Sequence, residues 1–192
     1  MSRIVLIRHG STEANERFLY CGSTDISLSE SGRKALAEKR IRGGYPDISG
    51  YRVITSGMKR TEETLFCLFG QAEHEKNPGL REISFGDYEM QDYYALEKVP
   101  GFLEWLNHSD EQAPPHGESG KEMRERVLQA FFPLAASGDE LLLVVHGGTI
   151  VHIMTALFPG EQKGRYDWQP GGGEGYEIEY ENGKALSYKK IP

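Results

Sequence analysis

Cysteine is scarce in this chain: Cys21 and Cys67 are the only two in 192 residues, and neither has a cysteine or histidine at metal-ligand spacing beside it. A disulfide framework and a small zinc module are therefore excluded, and both thiols are expected to be reduced. Long apolar runs are missing as well, since no stretch approaches the roughly 20 residues that a membrane helix requires. Hydrophobic residues make up 38 % of the chain and the mean hydropathy is −0.53, so no membrane partner is expected. Positive charge is in deficit: 22 Lys and Arg against 29 Asp and Glu leave a formal net charge of −7. That balance argues against nucleic acid or an anionic bilayer as main partner, so any anion site must be local. The N-terminus passes from Met1-Ser2-Arg3 straight into a short apolar run. It shows no secretory h-region or cleavage site, and the expected location is cytoplasmic.

What is present is an alternation of short apolar runs with helical patterns. Ile4 to Ile7 predicts a buried strand, and so does Leu141 to Val145. Glu13 to Leu19 predicts a short helix, and Ser29 opens a charged helix ending near Gly43-Gly44. Arg52 to Thr55 reads as a strand, followed by a helix with Thr61, Thr64, Leu65 and Leu68 on one face and Gly70 as its stop. A helix after Pro114-Pro115-His116-Gly117 carries Val127, Ala130, Phe131 and Leu134 on one stripe, and the tail turns at Asn182-Gly183 between alternating segments, a strong hairpin signal. Residues 77–120 read as an irregular insertion over the sheet edge with one helical piece at 91–106. The whole is expected to be one α/β domain with a mostly parallel sheet and an antiparallel edge.

Two strand ends carry the chemistry. Leu6-Ile7-Arg8-His9-Gly10 puts a cation and an imidazole where the first strand stops, and Val145-His146-Gly147-Gly148 repeats the design later. Ligands of open α/β sheets sit beyond the carboxyl ends of strands, so one crevice can receive both histidines. A histidine attacking phosphorus needs a neutral ring and a surround that disperses phosphoryl charge. Arginine suits the second task because its planar fork stays charged and matches phosphate oxygens. Arg8 supplies one such group, and Arg60, in the first turn of the helix after Thr55-Ser56-Gly57, supplies another.

The ordered segments Arg8-His9-Gly10-Ser11-Thr12-Glu13-Ala14-Asn15, Gly22 to Gly32, Ser56 to Thr64, Leu80 to Glu89 and Val145 to Gly148 resemble those of the histidine phosphatase superfamily, the phosphoglycerate-mutase-like enzymes. The resemblance spans almost the whole chain. It implies a three-layer α/β/α sandwich, His9 as the nucleophile that becomes phosphohistidine, and Arg8, Arg60 and His146 around the equatorial oxygens. It also implies Asn15 as a phosphate contact, Glu82 as general acid, a small phosphomonoester as substrate, and neither metal nor cofactor. Read alone, Glu82 would be a salt-bridge partner of Arg81 or a lysine. The chain departs from the family pattern at Gly57, where relatives carry Ser or Pro, and at Tyr88, which replaces a common Trp; both bear on pocket shape.

The chain is shorter than the family's mutases. Phe85 to Met90 and Pro115 to Ser119 are similar to segments of the α-ribazole phosphatases of cobalamin biosynthesis. Broad-specificity phosphatases and mutases stay as alternatives, as does a non-catalytic phosphate-binding module on the same fold. His152 lies six residues after His146, about 240° around a helix, so the two share no face for a metal. His116 is expected to be an exposed loop residue, and His74 and His108 carry no signal.

Overall fold

The structure, a computed structural model, describes the backbone of residues 1–192 and all side chains save that of Arg165. Chain order runs β1 (Ser2–Arg8), α1 (Glu13–Glu16), α2 (Glu30–Arg42), β2 (Arg52–Thr55), α3 (Lys59–Phe69) and β3 (Glu75–Lys76). It continues with α4 (Tyr93–Leu96), α5 (Phe102–Asn107), α6 (Gly120–Ala135), β4 (Leu141–Val145), α7 (Gly147–Leu157), α8 (Arg165–Trp168), β5 (Gly175–Glu181) and β6 (Lys184–Ile191).

Alternation within the apolar runs decides the layers. Every residue of β4, and Ile4 to Ile7 of β1, is buried, as expected of strands covered on both faces. Ile4, Leu6, Leu141 and Leu143 point to one side, where Val127 and Phe131 of α6 and Ile150 and Ile153 of α7 meet them. Val5, Ile7, Leu142 and Val144 point to the other, against Leu36 of α2 and Leu65 and Leu68 of α3. Two helical layers therefore enclose one sheet, the expected α/β/α arrangement. Its strand order is β3-β2-β4-β1-β5-β6. The first four strands are parallel, while β5 and β6 form the antiparallel edge. The hairpin between those two turns at Asn182 and Gly183, both at positive φ (50° and 78°), which suits a two-residue turn.

Helix starts follow their caps. The Ser29 hydroxyl accepts the Gly32 N–H at 3.0 Å, and Ser119 with Glu122 closes a capping box at α6. Two boundaries differ from the sequence pattern. The first helix stops at Glu16, because the chain turns through Phe18 at φ 54°. The single helix expected over 91–106 is two, α4 and α5, broken at Val99-Pro100-Gly101. Proline disfavours helical geometry in the residue before it, and Gly101 stands at φ 83°.

The segment after β3 does not drape over the sheet edge. Its aromatic cluster of Tyr88, Phe102 and Trp105 packs with Phe85 and Tyr20, and Phe85 and Trp105 share a cavity wall with Gly148 and Val151 of α7. The segment thus lies over the carboxyl end of the sheet.

Candidate active site

Strand register brings the two histidines together. Arg8 pairs with Val145 in the parallel β1–β4 ladder, and the His9 N–H donates to the Val145 carbonyl at 3.0 Å. The residues that follow, His9 and His146, therefore emerge side by side, with ring centroids 5.1 Å apart and planes inclined by 64°. On the far side of β4, Thr55 of β2 pairs with Val144, which brings Ser56 to the same level. Three adjacent strand ends thus present Ser56, His146 and His9 in a row.

The hydrogen bonds fix the protons. Nδ1 of His9 lies 2.7 Å from the Gly10 carbonyl, which can only accept, so Nδ1 carries the proton and Nε2 keeps its lone pair. Arg60 Nε, which can only donate, lies 3.3 Å from His146 Nδ1. His146 accordingly holds its proton on Nε2 and donates it to Ser56 Oγ at 2.8 Å. Thr61 Oγ1 donates to the Met58 carbonyl at 2.7 Å, so Ser56 Oγ donates to Thr61 at 3.1 Å. The relay runs one way from Arg60 to Met58.

Burial removes both imidazoles from water and pushes their pKa values well below the ordinary value of a histidine, with Arg60 and Arg8 adding to the shift at each ring. Both rings are neutral at physiological pH. Arg60 is 1 % exposed. Its guanidinium donates to the carbonyls of Gly22 at 2.6 Å and Thr24 at 2.9 Å, and burial lowers its pKa from the usual arginine value. Arg8 is half-buried and donates from Nη1 to the Pro170 carbonyl at 2.7 Å. The loop after His9 is held by α3, since the Gly10 N–H donates to Thr64 Oγ1 at 2.9 Å.

Glu82 makes no salt bridge with Arg81. Its Oε2 accepts the Gly148 N–H at 2.9 Å and its Oε1 the Ile83 N–H at 3.0 Å, which ties the carboxylate to the first turn of α7, one step from His146. Arg126 of α6 braces the segment that carries Glu82 by donating to the carbonyls of Gly79, Arg81 and Glu82. Asn15 stays within its own helix start. Its Oδ1 accepts the N–H and hydroxyl of Thr12 at 3.0 Å each, so its amide oxygen is spent on the helix cap.

Beside Glu82 and Gly148 lies a cavity of about 470 Å³ whose wall includes Tyr20, Phe85, Trp105, Met123, Val151 and His152. His152, which carried no metal role, is a wall residue. His116 is exposed and reaches Asp87 at 3.0 Å, His74 bonds Glu62, and His108 bonds the Glu104 carbonyl. Gly57 stands at φ 78°, a conformation glycine adopts without strain. Tyr88 is buried against Phe102 and Trp105.

The carboxyl end of the sheet thus gathers two neutral histidines, two arginines and a helix-anchored carboxylate. The chain belongs to the histidine phosphatase superfamily, whose branch 1 model matches residues 4–189. Its relatives include phosphatases and mutases. The 2,3-bisphosphoglycerate-dependent phosphoglycerate mutase of Xanthobacter autotrophicus is 27 % identical over 168 residues, 80 % of each chain. The adenosylcobalamin/alpha-ribazole phosphatase of Salmonella typhimurium is 29 % identical over 163 residues, 81 % of this chain and 79 % of that one. Among solved structures, the alpha-ribazole phosphatase from Shigella flexneri superposes with a TM-score of 0.82 at 25 % identity, covering 95 % of this chain and 93 % of that one.

Sequence reasoning missed Ser56 as the partner of His146 and Thr61 as the partner of Ser56, and it missed the carbonyls of Gly22 and Thr24 as the seat of Arg60. The only signal was the motif order that placed those segments near each other.

Proposed function

We propose that this chain is a phosphomonoester hydrolase acting through phosphohistidine on His9, with α-ribazole 5′-phosphate as its physiological substrate. The observation that carries the reading is the proton arrangement at His9: Nδ1 donates to Gly10 and Nε2 is left as a neutral nucleophile between Arg8 and Arg60. Nε2 attacks phosphorus as the ester P–O bond breaks, and the leaving oxygen takes a proton from the Glu82 carboxyl. Water then attacks phosphorus and gives a proton to the Glu82 carboxylate, while the P–N bond breaks to return neutral His9 and inorganic phosphate. Arg8 and Arg60 offset the charge on the equatorial oxygens, a task that metal ions perform in other phosphatases. His146 joins them when its Nε2–H exchanges Ser56 Oγ for a phosphate oxygen, and Asn15 contributes its amide N–H groups.

The cavity beside Glu82 supports a bulky, partly aromatic leaving group. Its described wall is largely apolar and aromatic, which suits such a group better than the second strong anion of 3-phosphoglycerate. A mutase is the second reading, favoured by the Xanthobacter autotrophicus relative. The test is a trapping and turnover experiment with EDTA present. Wild type is expected to form an acid-labile, base-stable phosphoenzyme, lost in His9→Ala, and to release phosphate from α-ribazole 5′-phosphate faster than from 3-phosphoglycerate or sugar phosphates. A phosphoenzyme that persists in His9→Ala, or activity that EDTA abolishes and divalent metal restores, would sink the mechanism. Isomerisation of 3-phosphoglycerate would turn the assignment to a mutase.

A further inference from the structure

Glu89 touches no reacting atom and has no part in the reaction above, yet its half-buried carboxylate collects hydrogen bonds from two separate segments. The N–H groups of Gly22, Ser23 and Thr24 donate to it at 3.1, 2.8 and 3.2 Å. The hydroxyls of Ser23 and Thr24 donate at 3.1 and 2.7 Å, and the Phe85 N–H at 2.9 Å. These bonds hold its pKa below the usual carboxylate value although burial pushes the other way. The carbonyls of Gly22 and Thr24 face away from Glu89 in function: they are the acceptors that seat two N–H groups of the Arg60 guanidinium, whose third engaged N–H reaches His146. Residue 22 must also be glycine, because a Cβ there would collide with the Ile83 carbonyl.

We propose that Glu89 is a positioning residue that clamps residues 22–24 so that their carbonyls orient Arg60, and through it His146, toward the phosphoryl group. The proposal rests on the phosphatase reading for its kinetic consequence but not for its binding consequence. Charge and positioning predict opposite signs: deleting a carboxylate near an anion site should tighten anion binding by charge alone, whereas releasing Arg60 should weaken it.

The experiment compares wild type with Glu89→Gln for inorganic vanadate affinity and for hydrolysis of p-nitrophenyl phosphate. Removing outer-shell partners at metal sites typically costs about 10–100-fold in affinity or activity, and a loss of that order is expected here in both readouts, with secondary structure intact by circular dichroism. In an Arg60→Ala background, Glu89→Gln should add no further loss, because coupled residues are non-additive. Unchanged or tighter vanadate binding, or a full additive loss in the double variant, would overturn the proposal. Thr24→Val, which removes the 2.7 Å bond alone, gives the same sign of change at smaller size and decides the matter if Glu89→Gln misfolds. Should wild type hydrolyse no phosphomonoester, the phosphatase reading fails while vanadate affinity still tests the clamp.

Discussion

Gly148 and Glu82 constrain each other atom by atom. The carboxylate accepts the Gly148 N–H, and a Cβ at 148 would run into Glu82 Oε1, so the acid can reach the helix only over a glycine. If Glu82 supplies the proton to the leaving oxygen, its worth grows with the basicity of that oxygen, and general acid catalysis typically contributes about 10²–10⁴-fold. Glu82→Gln is therefore expected to slow an alkyl phosphate by that order and p-nitrophenyl phosphate far less. Equal losses on the two substrates, with circular dichroism unchanged, would mark Glu82 as a phosphate-positioning group instead. At this scale His9, Arg8, Arg60, His146 and Glu82 were legible because each sits in an ordered motif. Ser56, Thr61 and Glu89 were not, because a hydroxyl or carboxylate that orients another side chain has no spacing signature. His146 for Ser56 and residues 22–24 for Glu89 lie on another strand and another loop, and only the closed sheet brings them within reach.

Among the elements, β4 has the most demanding surroundings, with helices on both faces and parallel strands on both edges. Leu143 is fully buried between the sheet and the α6–α7 layer. Leu143→Ala leaves a hole that rigid neighbours on all sides cannot fill, and a loss of about 2–5 kcal/mol is expected in urea unfolding. A loss under about 1 kcal/mol would mean that the layer collapses onto the gap. The apolar runs of β1 and β4, the Ser29 and Ser119 caps and the Asn182-Gly183 turn could all be read in advance, since each is a local preference that the tertiary structure reinforces. The break between α4 and α5 could not be read from aromatic periodicity, because the rings at Tyr88, Phe102 and Trp105 were packing on one another rather than marking one continuous stripe. The two-residue strand β3 has too little pattern to announce itself; its pairing with Ile54 and Thr55 creates it.

For the molecule as a whole, the buried histidines tie stability to pH. His9 and His146 have folded pKa values well below the ordinary value, so below about pH 6.5 the unfolded chain binds protons that the native one refuses, and stability falls as pH falls. His74 has a raised pKa from its bonds to the Ala72 carbonyl and Glu62. It works the other way, but its contribution is complete once the pH has dropped to about 6.5. Below about pH 6 the two buried rings therefore act alone among these three, and up to about 2.7 kcal/mol should be lost per pH unit. Urea denaturation at pH 7.5, 6 and 5.5 reads this directly; stability that holds or rises on acidification would contradict it. The strand order has a consequence for biosynthesis too. Because β4 lies between β2 and β1, a ribosome that has delivered the first 140 residues has made His9, Arg8, Arg60 and Glu82, but not the strand that joins them. Until β4 emerges, β1 and β2 carry unpaired edges of the kind that recruit other chains. Translation at about 5–20 residues per second leaves that slot open for several seconds. An interrupted message would yield a sticky fragment with His9 and no His146, so the pairing of the two rings doubles as a mark that the nascent chain has passed residue 146.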